Sequence, residues 1–313
     1  MRRDRRREAD APWQISVRGW MDILGRAWKE TGEKNLSLVA GGVTYYVLLA
    51  LFPALAALIS VYGLVGNPAE VTKIVQSLSG VLPPSTATLI ASELHQFVTA
   101  PSGSLGLGAV VGIVIALWSS MRGMSGMMTA LGIAYDQPER RGFIRFNATA
   151  LLLAVVVIVG GLIALALVAG LPVMLNGAGA LGPARWIGLV VEWPILIVFV
   201  IGMLALIYRY GPDRDEPEWK WTSPGTIAAT ILWIIGSVLF TVYVYHFDSY
   251  NTTYGVLGAL GILLTWMWLS AFVVLFGAEI NGESERQTRQ DTMVGVPVPM
   301  DQRGAEDTDT VAS

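Results

Sequence analysis

Glu192 is the one formally charged residue in six long apolar runs of this sequence. A carboxyl in such a setting could carry a proton or bind a cation. Its surroundings, "VVEWPIL", offer a plainer role. Pro194 suits the first turn of a helix, where Glu192 would be stabilised by the helix dipole close to lipid head groups. A second polar feature lies in the fifth run. At about 100° per residue, Thr226, Thr230, Ser237 and Thr241 fall on one stripe roughly 60° wide. Small hydroxyl residues in such a row let two helices approach and hydrogen-bond, which is the first expectation; the alternative is a polar path through a bundle.

Other chemistry is missing. The chain has no cysteine and two histidines, His95 and His246. That excludes disulfides and thiolate metal sites. No HExxH, P-loop or GxGxxG opening a strand–helix unit occurs, which disfavours a metallohydrolase, an ATP-driven machine and a dinucleotide enzyme. No catalytic residue, metal or cofactor is expected, and the chain reads as a non-enzyme.

The elements that must position these residues are set by hydropathy. The runs are 36–65, 104–121, 148–171, 186–208, 224–245 and 255–278, and none contains Lys or Arg. A bilayer core about 30 Å thick needs roughly 20 helical residues. In lipid the backbone must satisfy its own hydrogen bonds, so each run is predicted to be helical. With 53% hydrophobic and 14% charged residues over 313 positions, the composition agrees with a chain that meets lipid. The predicted fold is an all-α integral membrane protein, a six-transmembrane-helix bundle with short amphipathic surface helices. Nineteen of the 21 Lys and Arg lie in the N-terminal arm, the C-terminal tail and the connections after runs 2 and 4. The positive-inside rule then puts both termini in the cytoplasm.

Residues 1–35 are expected to form a cytoplasmic basic arm with an interfacial amphipathic helix. Val17, Trp20, Met21, Leu24 and Trp28 share one helical face there, with Arg18, Arg26 and Lys29 elsewhere on it. A soluble cap packed on the bundle is the alternative. The six-span domain is expected over 36–281, and a disordered acidic cytoplasmic tail over 282–313. Pro53 predicts a kink in the first span. The connection 66–103 is expected to hold two short surface helices, with His95 a solvated side chain on the second. Gly108 and Gly112 form a GxxxG pair that permits a homo-oligomer without demanding one. Arg122 should reach phosphate head groups beside Trp118. Glu279, at the inner end of the last span, is expected at the interface. The partners predicted are the bilayer and its anionic lipids on the cytoplasmic face, with no nucleic acid.

Five segments in order, "YYVLLALFP", "LWSSMRG", "YRYGPD", "SYNTTYG" and "GAEIN", resemble the YihY/BrkB family of bacterial inner-membrane proteins. The resemblance covers roughly residues 15–285. It implies a six-helix, multi-pass protein of the bacterial plasma (inner) membrane. Family members carry the labels virulence factor and ribonuclease BN, the second regarded as a misassignment. It also marks Tyr45, Tyr46, Pro53, Arg122, Gly123, Pro212, Tyr250, Asn251, Tyr254, Gly255, Glu279 and Asn281 as candidate sites. Tyr45, Tyr46 and Pro53 join Glu192 and the hydroxyl stripe as substrate-path candidates. Asn251, Thr252 and Thr253 can cap the last helix from a short outer turn. The functional expectation is a transporter or flippase-like permease; the alternative is a non-transporting envelope factor.

Overall fold

The computed structural model describes residues 15–65, 102–177, 183–214, 219–246 and 256–285. These form seven helices: α1 (Val17–Glu33), α2 (Leu36–Val65), α3 (Ser102–Ala134), α4 (Phe143–Gly177), α5 (Pro183–Tyr210), α6 (Trp219–His246) and α7 (Val256–Glu285). The six predicted apolar runs lie on α2 to α7. Among the described residues, five segments are long and apolar enough to cross a bilayer: Val110–Ala134, Phe143–Ala164, Trp193–Tyr210, Pro224–Val244 and Leu260–Glu285. A bent pair, Val17–Glu33 with Leu36–Leu51, makes a sixth when taken together, with a 67° break between its halves. The protein is thus an all-α membrane protein.

Two compact units emerge, one drawn from Met1–Tyr45 and Met124–Ser313, the other from Tyr46–Gly123. In the first, α7 packs on α6 and α1, and α5 packs on both α4 and α6. Its core combines Leu36, Ala40 and Val43 of α2 with Ala130, Leu131 and Ala134 of α3, Tyr208 of α5, Ala229 of α6, and Ala271, Leu275 and Ala278 of α7. Many of these are small, so the helix backbones come close. The tightest approach joins α6 and α7. A methyl group added at Gly225 would run into the Gly277 carbonyl and the Asn281 side chain. One added at Gly277 would meet the Tyr208 hydroxyl and Ala229. In the second unit, Gly123 lets α3 pass the α2 backbone: its Cβ position lies 3.7 Å from the Tyr46 carbonyl oxygen and 3.8 Å from Ala50 Cβ. Arg122 sits over Trp118, its guanidinium carbon 5.7 Å from the ring centroid.

Two expectations change. Pro194 lies inside α5, which begins at Pro183, so Glu192 is not in a first turn. It is Pro183 that takes the starting position, where its missing N–H is harmless. The end of α7 runs to Glu285, past the expected start of the tail at 282, because Glu283 and Ser284 are buried against the bundle. Glu279 is buried within the protein, at 2% exposure. On α1, Ile23, Ala27 and Thr31 pack inward with Trp20 partly against them, and Val17, Met21, Leu24 and Trp28 are exposed. The expected surface helices with His95, the "SYNTTYG" connection with Tyr250, Asn251, Tyr254 and Gly255, the arm before residue 15 and the tail beyond 285 lie outside the described residues. So does the Glu192 side chain.

Candidate functional site

At 1.5 Å per residue a 30-residue helix is about 45 Å long, well beyond the hydrocarbon thickness. Helix α7 has that length. Its overhanging end, "AEINGESE", carries Glu279, Asn281, Glu283 and Glu285. At about 100° per residue, Glu279 and Glu283 share one face, and Asn281 and Glu285 share another roughly 200° away. The end of α7 is therefore a polar hub with two sides. Each side meets cations or donors from a different part of the chain.

On the first side, Lys34 reaches in from the corner between α1 and α2. Its Nζ lies 2.6 Å from Asp136 Oδ2 and 3.1 Å from Glu279 Oε1. It also donates to the Ala134 carbonyl at 2.9 Å. The Lys34 side chain is 10% exposed. Two backbone corners bring these groups together. Asn35 and Asp136 are the only non-glycine residues with positive φ among the described residues, each at 52°. Asn and Asp tolerate this left-handed conformation because their short side chains bond locally. Asp136 follows the end of α3, where Gln137 N donates to the Gly132 carbonyl at 2.8 Å. That bond satisfies one of the helix's last acceptors and turns the chain. Asn35 stands between the Lys34 cap of α1 and the start of α2, its carbonyl accepting from Leu38 and Val39. One turn further along α7, Glu283 accepts from Arg26 Nε of α1.

On the second side, Asn281 is wholly buried. Its Nδ2 donates to the Tyr135 hydroxyl at 3.1 Å, and its Oδ1 accepts from Gly225 N at 2.7 Å. Both ends of the amide are therefore used. Arg214, just after α5, donates to Glu285 and stacks over the Tyr135 ring, 4.6 Å from its centroid. Burial pushes the Tyr135 phenol well above its usual range, although the Arg214 charge pulls the other way. Burial alone would weaken the Arg214 cation, but Glu285 outweighs it, and the guanidinium is held more firmly protonated than usual. Nearby, Tyr208 donates to the Val274 carbonyl at 2.7 Å.

A separate clamp ties the α3–α4 connection to the end of α5. Arg141 donates to both Glu139 oxygens, at 2.7 and 2.6 Å, and to the Gly211 carbonyl at 2.7 Å. Asp213 accepts from Arg140 N at 3.0 Å. For Glu139 partial burial would raise the carboxyl, but the Arg141 bonds and charge outweigh it and hold it below the ordinary range. Between the clamp and α3 opens a cleft of about 490 Å³, lined by Met128, Thr129, Ile133, Asp136, Glu139 and Asp213. Its three carboxylates are already engaged by Lys34, Arg141 and the Arg140 amide.

Of the residues predicted from sequence, Glu279 and Asn281 enter this hub, and Pro212 is buried near the clamp. Thr226 and Thr230 are buried, and the Thr230 hydroxyl donates to its own helix at the Thr226 carbonyl, 2.8 Å away. Ser237 is half-buried and Thr241 exposed, the latter donating to the Ser237 carbonyl at 2.8 Å. The Ser237 hydroxyl oxygen is itself buried, with no hydrogen-bond partner among the described residues. Tyr45 and Tyr46 are exposed on α2, and Pro53 lies within that helix. Sequence reasoning did not single out Lys34, Tyr135, Asp136, Arg214, Glu283 or Glu285. The available signal was the alternation of acidic and amide groups in "AEINGESE", too long for a simple interfacial fringe.

Fold and hub together define a multi-span, all-helical membrane protein whose helix ends are joined by buried ion pairs. The chain belongs to the family described as Virulence factor BrkB, whose model matches residues 27–296. This agrees with the resemblance carried by the five sequence motifs. It is similar to a ribonuclease-like protein, YfkH, of Bacillus subtilis (strain 168), with 30% identity over 245 residues, 76% of this chain and 86% of the relative. It is also similar to UPF0761 membrane proteins. That of Haemophilus influenzae (strain 86-028NP) is 26% identical over 81% of this chain and 91% of its own length. That of Idiomarina loihiensis is 26% identical over 87% of this chain and 93% of its own length. No solved structure matches the chain.

Proposed function

We propose that the protein is a transporter-like permease of the bacterial plasma membrane, moving a small or lipidic substrate, and that the α7 hub closes its cytoplasmic end. The positive residues that accompany the hub support placing that end, and both termini, in the cytoplasm. One observation carries the reading: the closure is built from Lys34–Glu279, Lys34–Asp136 and Arg26–Glu283 pairs between separate helices. A closed apolar seam loses its whole burial energy when water enters. Buried ion pairs behave differently, because desolvation offsets much of their attraction and the separated charges regain hydration. A seal that must open to water is therefore better made from charges.

The reading of a non-transporting envelope factor has its own support. Thr226 and Thr230 are buried, and Thr230 bonds within its helix, as expected for packing. A ribonuclease, suggested by the name of YfkH, has little to draw on in a chain with no cysteine and two histidines. The partner proposed at the basic end is anionic lipid and not nucleic acid.

The test is reconstitution of the full chain into vesicles. Dithionite bleaching of a fluorescent phospholipid reads lipid transfer, and osmotic swelling reads small-solute flux. Activity that rises in Lys34→Ala supports a gated path. Silence of the folded wild type and Lys34→Ala in both assays overturns it in favour of the envelope factor.

A further inference from the structure

Helix α1 offers three distinct sides. Ser16 caps it, its hydroxyl accepting from Gly19 N at 3.2 Å. Ile23 and Ala27 pack with Ile280, against partly buried Phe276. At about 100° per residue, Val17, Met21, Leu24 and Trp28 form a stripe roughly 60° wide, centred about a quarter-turn from that docked side. All four are exposed, Val17 at 77% and Trp28 at 66%. Arg18, Asp22, Lys29 and Glu33 occupy the remaining side. An apolar row of this kind is a binding surface when it stands beside polar flanks.

We propose that this stripe docks on the surface of an anionic lipid leaflet, with α1 lying along the membrane. Three observations select lipid over a second copy or a soluble partner. The stripe leads directly into α2, one of the apolar helices, across a single 67° break, so α1 is turned away from the direction of that span. Its polar flank sets Arg18 and Lys29 against Asp22 and Glu33, with Lys29 pairing to Glu33 at 3.3 Å, so the positive charge that an anionic head-group layer attracts comes from the five arginines in the first seven residues of the chain. The docked side is already filled by α7, which leaves the stripe facing the space beside the bundle. Helix α1 is also tied to the hub, through Arg26 to Glu283 and through Lys34 at its C-terminal cap. Trp28 touches Phe276 edge-on at 6.0 Å between centroids. The leaflet assigned rests on the proposed orientation; the docking itself does not.

The chain has no cysteine, so single substitutions take a nitroxide label without background. Leu24→Cys, Met21→Cys and Lys29→Cys are prepared as full-length protein. They are compared in vesicles of phosphatidylcholine alone and of phosphatidylcholine with phosphatidylglycerol. Labels at 21 and 24 should collide with oxygen several-fold more than with a water-soluble nickel chelate, more so with phosphatidylglycerol, while the label at 29 shows the reverse. Equal nickel access at 21, 24 and 29 overturns the proposal. So does protection of 21 and 24 from both reagents, which would mean a protein cover such as a second copy. The measurement reads no flux, so it can fail while the transport reading stands, and the reverse.

Discussion

Lys34 and Asp136 meet at 2.6 Å, and each stands at a backbone corner where a non-glycine residue takes positive φ. The pair joins the α1–α2 turn to the end of α3. With Glu279 as a third member, it gathers three parts of the chain around one ammonium group. Removing the cation leaves a carboxylate at 2% exposure without its counter-charge. Lys34→Ala should therefore destabilise the folded protein by about 3–5 kcal/mol, whereas Lys34→Leu with Glu279→Leu should recover most of that loss. Thermal unfolding in detergent checks this. A double variant no more stable than the single one would show that the pair itself, and not the orphaned charge, holds the corner.

The α6–α7 crossing makes a second prediction. Gly225→Ala and Gly277→Ala each place a methyl group where backbone or the Tyr208 hydroxyl already lies. Each should cost at least about 1–3 kcal/mol through forced separation of the helices. Gly261→Ala, on the same α7 but in open space, should be neutral or slightly stabilising. Comparing unfolding midpoints of the three variants separates crowding from loss of flexibility.

Asn281 is fully used as donor and acceptor, which sets the order of its variants. Asn281→Ala should lose about 1–3 kcal/mol by leaving the Gly225 amide without its acceptor. Asn281→Asp keeps that acceptor but buries a charge and removes the donor to Tyr135, so it should fall at least as far. Tyr135→Phe should be milder, near 1 kcal/mol, since the ring remains beneath Arg214.

The clamp at Arg141 predicts an acid response. Glu139 is held below its ordinary range in the folded protein. Its contribution is thus present above the unfolded glutamate value of about 4.3, and is lost as pH falls through the lower folded value. Carbon NMR of labelled glutamate should show a carboxyl titrating below the ordinary glutamate range, and that signal should vanish in Glu139→Gln. Arg141→Lys should return it toward the ordinary range. A Glu139 signal titrating at the ordinary glutamate value would remove the clamp's effect on it.

What the sequence determined by itself is the membrane character and the helices. Lipid forces each crossing segment to be helical and apolar over about 20 residues, and such a demand is local enough to be read in one window. The "AEINGESE" end and the cations at Arg26, Lys34 and Arg214 were visible as charges, but not as partners. Lys34 and Glu279 are 245 positions apart, and Asn281 and Tyr135 are 146 apart. Which donor meets which acceptor depends on the angle between α1 and α2, on the close crossing at Gly225 and Gly277, and on two left-handed corners. Burial of Glu279 and exposure of the Val17–Trp28 stripe were decided the same way, because a helix face has no inside until a neighbour is laid against it.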